Sequence, residues 1–291
     1  MAKRSVRNTA LGAAVCRLIE QSQPEGVRLF DDQVVRYLVG APVRTLMRFK
    51  SGRNFTVRRT DGVLEGLYGL QVCRTRFIDD VVRSSSSQGI DQLVILGAGL
   101  DTRPYRLAAL ASVKVFEVDL PSVQEDKKRK LVSHFGRLPD NVTFVPLDFD
   151  AQSIESAMAD THFEPARPAL VIWEGVTQYL SEAAIERTLV YVGGLGEGSI
   201  LVFTYVLKSV IDRRSGIPGA DKLVEAVARS NAPWLFGLEP SSVAAFLERR
   251  NLELTVDAGS NDYQTMYLKP SGRNLAVSEC ERVAKAIVIR P

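Results

Sequence analysis

The chain has 291 residues, 45% of them apolar, with 37 basic and 34 acidic side chains and a net charge of +3. That is enough chain for one large α/β domain or two small ones, with an ordinary globular composition. No apolar run approaches the ~18 to 20 residues that cross a bilayer, and Cys16, Cys73 and Cys280 lie too far apart for a disulfide framework or a metal site, so a cytoplasmic protein with no membrane partner is expected.

The start, Met1-Ala2-Lys3-Arg4 followed by Ala10 to Cys16, has the outline of a secretion signal, but Arg17 and Glu20 interrupt it. Ala10, Leu11, Ala14, Val15, Leu18 and Ile19 recur at helical spacing instead and predict an amphipathic helix. Residues 1 to about 90 read as helices, with Phe77, Ile78, Val81 and Val82 as a second apolar stripe, closed by a loop at Ser84-Ser85-Ser86-Ser87-Gln88-Gly89. A strand is then predicted at 93–96, a helix from about 104, a strand at 113–118 and a helix at 122–135. Strands at Val142–Leu147 and Leu170–Trp173, a helix at Glu182–Val192 and a strand at Ile200–Thr204 continue the pattern. Strands separated by helices imply a parallel sheet covered on both faces.

After Tyr205 the rhythm stops. Residues 207–238, broken by Gly216, Pro218, Gly219 and Pro233, form an insertion placed to roof a pocket. A helix begins near Pro240, and Leu252–Val256 with Tyr263–Leu268, joined by Ala258-Gly259-Ser260-Asn261-Asp262, predict a closing antiparallel hairpin. The expected fold is α/β: a doubly wound, Rossmann-like, mostly parallel sheet with that hairpin. A helical cap spans 1–90, and a core spans 91–291 with its lid at about 207–238, one compact domain overall.

Leu93-Val94-Ile95-Leu96 runs directly into Gly97-Ala98-Gly99-Leu100-Asp101, and the next strand ends Phe116-Glu117-Val118-Asp119. A glycine turn lets backbone approach a nucleoside while a carboxylate on the second strand takes the ribose hydroxyls. Asp119, twenty-two residues beyond Gly97, has the spacing of one βαβ unit, with Glu117 as its competitor. A dinucleotide fingerprint wants a third glycine where this chain has Thr102, which demotes a nicotinamide oxidoreductase. The basic run Lys127-Lys128-Arg129-Lys130 lies in a predicted helix and reads as a solvated face, so nucleic acid is not an expected partner.

Four segments together resemble the leucine carboxyl methyltransferase family, which includes bacterial and polyketide-tailoring O-methyltransferases. They are Arg74-Thr75-Arg76-Phe77-Ile78-Asp79-Asp80, Leu96-Gly97-Ala98-Gly99-Leu100-Asp101-Thr102-Arg103, Phe116-Glu117-Val118-Asp119-Leu120-Pro121 and Trp173-Glu174-Gly175-Val176-Thr177-Gln178-Tyr179-Leu180. The resemblance implies the methyltransferase version of the fold, S-adenosyl-L-methionine as cofactor and a small-molecule or peptide acceptor. It implies that Arg74, with Arg76 as rival, grips the methionyl carboxylate, a task suited to a planar bidentate donor. Gly97 and Gly99 would lie against the cofactor, Asp119 would hold the ribose, and Glu174 would face the methionyl amino group. Asp148 would contact the adenine amino group, with Phe149 packing nearby where the family more often has leucine. Many methyltransferases carry an acid two positions before the first glycine; here that position is Ile95, as this family tolerates.

A carboxylate acceptor is ionised at neutral pH and needs no general base, whereas a phenol or enol normally does, with histidine the usual provider. His134 and His162 are both expected at the amino-terminal edge of the sheet, opposite the ligand edge. Their placement tilts the expectation toward carboxyl methylation. A phenolic or enolic acceptor, as in polyketide tailoring, stays open with Tyr205 or Tyr179 as base or relay. Arg213, Arg214, Trp234 and Phe236 are the candidate acceptor contacts from the roof. A cofactor-binding module without catalysis is the remaining alternative.

Overall fold

In a computed structural model, residues 2–229 and 232–289 are described, with side chains from residue 10 onward; Met1 and the side chains of the Ala2-Lys3-Arg4 start lie outside the described residues. The N-terminal helices are α1 (Ala2–Glu20), the short α2 (Val35–Leu38), α3 (Ala41–Arg48), α4 (Lys50–Val63) and α5 (Leu67–Ser87). Then come β1 (Gln92–Leu96), α6 (Arg103–Arg106), β2 (Lys114–Asp119), α7 (Pro121–Phe135), β3 (Val142–Pro146), α8 (Ile154–Ala159), β4 (Leu170–Trp173), α9 (Glu182–Gly193) and β5 (Ile200–Val206). The insertion holds α10 (Lys208–Ile211) and α11 (Ala220–Arg229), and α12 (Pro240–Glu248), β6 (Leu252–Ala258), α13 (Ser260–Tyr263) and β7 (Glu281–Val288) complete the chain.

The seven strands lie in the order β3-β2-β1-β4-β5-β7-β6. Neighbouring strands from β3 through β5 are parallel, and β7 runs antiparallel between β5 and β6. Successive side chains of a strand point to opposite faces, so a sheet covered twice needs unbroken apolar strands. Gln92–Leu96 and Ile200–Val206 are accordingly buried at every position. On one face Ile95, Ile172 and Val202 pack with Val72, Ile78 and Val82 of α5; on the other Leu96, Trp173 and Phe203 pack with Met158, Ile185, Leu189 and Val243. The cap helix α5 thus shares its core with the sheet.

Two expectations from the sequence fail. The serine run is the last turn of α5, because Ser85 Oγ donates to the Val81 carbonyl at 2.8 Å and Ser87 Oγ to that of Ser84 at 2.8 Å. A serine hydroxyl bonded back along the helix in this way is satisfied without leaving it, so a serine run need not be a loop. The closing pair of strands is β6 with β7; Tyr263–Leu268 is helical, ending α13 and continuing as a π-helical turn over Gln264–Leu268. Tyr263 and Tyr267 are four apart and both buried, a spacing that serves a helix face as well as any strand. Asp262 closes that turn by accepting the Gly259 N–H at 2.8 Å.

Candidate active site

A parallel strand ends with free backbone groups, and the loops leaving β1, β2, β3 and β4 bring theirs to one edge of the sheet. These loops line one side of a cavity of ≈ 1380 Å³, and α1, α4, α5 and the 207–238 insertion line the other. A pocket for one drug-sized ligand is about 300–1,000 Å³, so the space suits two ligands side by side. The insertion contributes Leu223, Val227 and Trp234 to the wall.

The glycine turn is stitched to β2: the Gly97 and Ala98 N–H groups both donate to the Val118 carbonyl, at 2.8 and 3.1 Å. Asp119, 7% exposed, accepts the Gly99 N–H through Oδ2 and the Leu120 N–H through Oδ1, each at 2.6 Å. Burial raises its pKa above the ordinary aspartate value against those two bonds. Gly97 has φ +67° and a Cβ there would meet Val176 Cγ2 at 2.4 Å, so this glycine admits the chain after β4 rather than a ligand. At Gly99, φ +39°, a Cβ would meet only Ala10 Cβ at 3.5 Å and the Gly97 carbonyl oxygen at 3.7 Å. Gly99 is the open side of the turn.

Glu117 does not compete for the ribose role. It is fully buried away from the cavity, ion-paired with Lys127 at 2.7 Å and accepting the Tyr105 hydroxyl at 2.8 Å. The expectation of a solvated basic run fails at the same residue, since Lys127 is 1% exposed and neutralises that glutamate. Of the two rival arginines, Arg74 lines the cavity, while Arg76 pairs with Asp80 at 2.9 Å outside it.

Arg74 donates Nε to Glu174 at 2.8 Å, Nη1 to Glu281 at 2.6 Å and Nη2 to Gln71 at 2.9 Å. Glu174 is also held by Arg103 at 2.7 Å. Burial alone would raise the Glu174 pKa, but Arg103 and Arg74 overcome it and hold the carboxyl at about 2. Glu281 goes the other way, raised by burial against the attraction of Arg74. Arg103 is itself fixed by Asp79 at 2.8 Å and Asp101 at 2.6 Å, and Arg106 reaches Asp79 at 2.7 Å. Thr102, the departure from the dinucleotide pattern, donates to Asp32 at 2.7 Å and accepts Arg17 at 2.8 Å. A glycine there could do neither.

Asp148, Phe149 and Tyr179 line the cavity as well, and the Phe149 ring stacks 6.4 Å from that of Trp173. Tyr205 does not line it. Its side chain is buried with Trp173 and Phe203, and its hydroxyl donates to Asp257 of β6 at 2.8 Å, which with burial pushes the phenol pKa up. Its candidacy as a base rested on its place at the strand end, but its hydroxyl is directed to Asp257 and not to the cavity. Both histidines are exposed and outside the cavity, His134 stacked on Tyr37. Of the four candidate roof contacts Trp234 alone lines the cavity: Phe236 is buried in the core, and Arg213 and Arg214 pair at the surface with Glu225 and Asp212.

Sequence reasoning missed Glu281, Arg103, Asp79 and Gln178. Arg103 and Asp79 stand inside segments that carry the family resemblance, so a signal existed; Glu281 opens an ordinary amphipathic strand and gave none. Gln178, 4% exposed, lines the cavity with no partner for its Oε1, and Trp234 does so with none for its Nε1.

A family model for leucine carboxyl methyltransferase matches residues 10–193, more than half of the chain. The chain belongs to the leucine carboxyl methyltransferase family. A relative in Mycolicibacterium paratuberculosis, named as an S-adenosyl-L-methionine-dependent methyltransferase, is 32% identical over 199 residues, 67% of this chain and 64% of that protein. One of the same name in Rhodococcus jostii is 34% identical over 183 residues, 62% and 58% of the two chains. The chain thus spans under two thirds of the length of these curated relatives. Among solved structures, a methyltransferase from Thermobifida fusca superposes with a TM-score of 0.58 at 17% identity, covering 83% of this chain and 90% of that one. A duf574 family protein from Streptomyces avermitilis gives 0.56 at 16% identity, covering 93% and 100%. At those identities the likeness speaks for the fold, a class I methyltransferase sheet.

Proposed function

We propose that this protein is an S-adenosyl-L-methionine-dependent O-methyltransferase whose acceptor is a carboxylate of a small molecule or peptide. The observation that carries the cofactor assignment is the convergence of Asp119, Asp148, Phe149, Arg74 and Glu174 on one cavity, at the sheet edge where the family's resemblance puts them. The residues fit the group. Each Asp119 oxygen accepts one backbone N–H and keeps lone pairs for the ribose hydroxyls. Arg74 has spent three of its N–H donors, leaving two of the five on a guanidinium for the methionyl carboxylate. Glu174, held ionised, suits the methionyl ammonium, and Asp148 the adenine amino group.

When bound, S-adenosyl-L-methionine supplies a methyl group on a sulfonium, open to displacement in line by a nucleophile. The chain's part is to orient, to exclude water and to set charge. Wall residues Leu11, Val15, Leu67, Leu70, Leu223 and Val227 give the acceptor half an apolar lining. An anionic acceptor there is drawn to a sulfonium by about 4 kcal/mol at ~4 Å with an effective dielectric of 20. A carboxylate is favoured because both histidines and Tyr205 lie outside the cavity. Glu281 supports hydroxyl methylation as the second reading, since a buried carboxylate with a raised pKa beside the reacting groups is what a general base requires.

Labelled-methyl transfer to a panel of carboxylic acids and phenols tests both readings. A methyl ester releases volatile methanol in mild alkali, and a methyl ether does not. Volatile label supports the first reading, stable label the second, and no binding of S-adenosyl-L-methionine by calorimetry removes both.

A further inference from the structure

Between Ala41 and Thr60 the sequence holds six basic residues, Arg44, Arg48, Lys50, Arg53, Arg58 and Arg59, and no acidic one. Among the described residues none of the six is ion-paired with a carboxylate, although elsewhere in the chain ion pairs abound. The same stretch carries exposed apolar side chains: Leu46 at 46%, Phe49 at 61% and Phe55 at 62%. From Ala41 to Val63 only Met47 and Gly52 are buried. Helices of 8 and 14 residues draw most of their stability from a packed face, and this pair has little of one.

We infer that the α3–α4 pair docks on an anionic lipid bilayer surface. Among the described residues no helix is long and apolar enough to span a bilayer, but lying on one needs only the combination found here: basic groups for lipid phosphates, and phenylalanine and leucine to enter the headgroup boundary. The charge argues against the other occupants. Two copies meeting through this surface would set six unpaired cations against six, and an acidic protein would leave the phenylalanines to find a matched pocket, which a fluid interface does not require. The site is also in the right place. Thr56, Arg59, Thr60 and Val63 of α4 line the cavity, so the docking surface and the acceptor half share a helix. An amphiphile held in the bilayer would reach the acceptor wall without crossing bulk water.

The test is co-sedimentation of the full chain with vesicles of phosphatidylcholine alone and of phosphatidylcholine with 30% phosphatidylglycerol, at low and high salt. Binding is expected on the anionic vesicles only, falling as salt screens the phosphates. Phe49→Ser with Phe55→Ser should weaken it about tenfold or more, from lost apolar burial. Arg48→Glu with Arg58→Glu should weaken it about thirtyfold or more, since each reversal removes an attraction to the lipid phosphates and adds a repulsion. All four positions are exposed, and calorimetric binding of S-adenosyl-L-homocysteine reports separately on the cavity. Absence of anionic-vesicle binding, binding indifferent to both variants, or binding of single-stranded RNA that the phenylalanine variant leaves intact and that exceeds vesicle binding would each overturn the inference. A chain that binds vesicles but no adenosyl ligand would overturn the proposed function instead.

Discussion

The two walls of the cavity are built on opposite principles. Around the sheet edge, and on α1 and α5 beside it, the buried charges are committed: Arg17 to Asp32, Arg74 to Glu174 and Glu281, Arg103 to Asp79 and Asp101, Arg106 to Asp79. Elsewhere on the lining, Arg59 of α4 has no carboxylate partner among the described residues, and Gln178, after β4, and Trp234, in the insertion, each keep a buried polar atom without a hydrogen bond. Groups fixed in advance favour a constant ligand, because their ordering is complete before it binds. Polar atoms left open favour a ligand that supplies their partners. On the proposed function, the contrast assigns the cofactor to the first group and the acceptor to the second.

The deepest test of the fixed wall is Asp79→Ala. Asp79 is fully buried and serves both Arg103 and Arg106. Removing one partner from a buried ion pair costs about 3 to 5 kcal/mol, which in a chain of this size lowers Tm by roughly 10 °C. A melting curve within 2 °C of the parent, by the ~2 to 4 °C per kcal/mol of domains this large, would mean the network is ornamental. Asp119→Ala comes next: the fold should survive while affinity for S-adenosyl-L-methionine drops about tenfold or more, the worth of a charged hydrogen bond. The pH dependence has a fixed sign. The free Asp119 carboxyl has a pKa raised above its ordinary 3.8, and ribose hydroxyls prefer the ionised form. Affinity should therefore be level near neutrality and fall as pH drops through that raised value, while Asp119→Asn should be weak and flat across the same range. Calorimetric titrations over that pH range separate the two.

Much of the fixed wall was legible in the sequence because it depends on short motifs. A strand, a glycine turn and an acid twenty-two residues on specify a local geometry, and Asp119 and Gly99 are where that geometry requires them. Arg74 was legible by its segment. What the sequence hid was set by long-range contacts: Lys127 has the surroundings of a solvated face, and only the proximity of Glu117 makes it a core residue. Glu281 meets Arg74 across 207 positions, and the order of β7 between β5 and β6 is what brings it there. Tyr263–Leu268 misled because alternation and fourfold spacing coincide in six residues. The fold class survived that error because β6 still closes the sheet in antiparallel fashion, with a different partner.

On the open wall the expected effects are smaller and fall on a different constant. Trp234→Phe removes one N–H and little volume. If that N–H bonds the acceptor, KM for the acceptor should rise by up to about tenfold, as for one neutral hydrogen bond, with the dissociation constant for S-adenosyl-L-methionine unchanged. An equal change in both constants would place Trp234 on the cofactor side and erase the contrast.

The smallest expected effect is the most pointed. Tyr205→Phe takes away a hydroxyl that does not line the cavity and whose partner is Asp257, and Asp257 keeps its 2.9 Å ion pair with Arg282. The cost should be confined to stability, about 1 kcal/mol for a lost hydrogen bond, with kcat within twofold of the parent. Tyr179→Phe, at a residue that does line the cavity, is the matched comparison. A large loss of kcat in Tyr205→Phe with Tyr179→Phe indifferent would return Tyr205 to the reaction and overturn the comparison. The bond to Asp257, and a strand buried at all seven of its positions, argue that it will not.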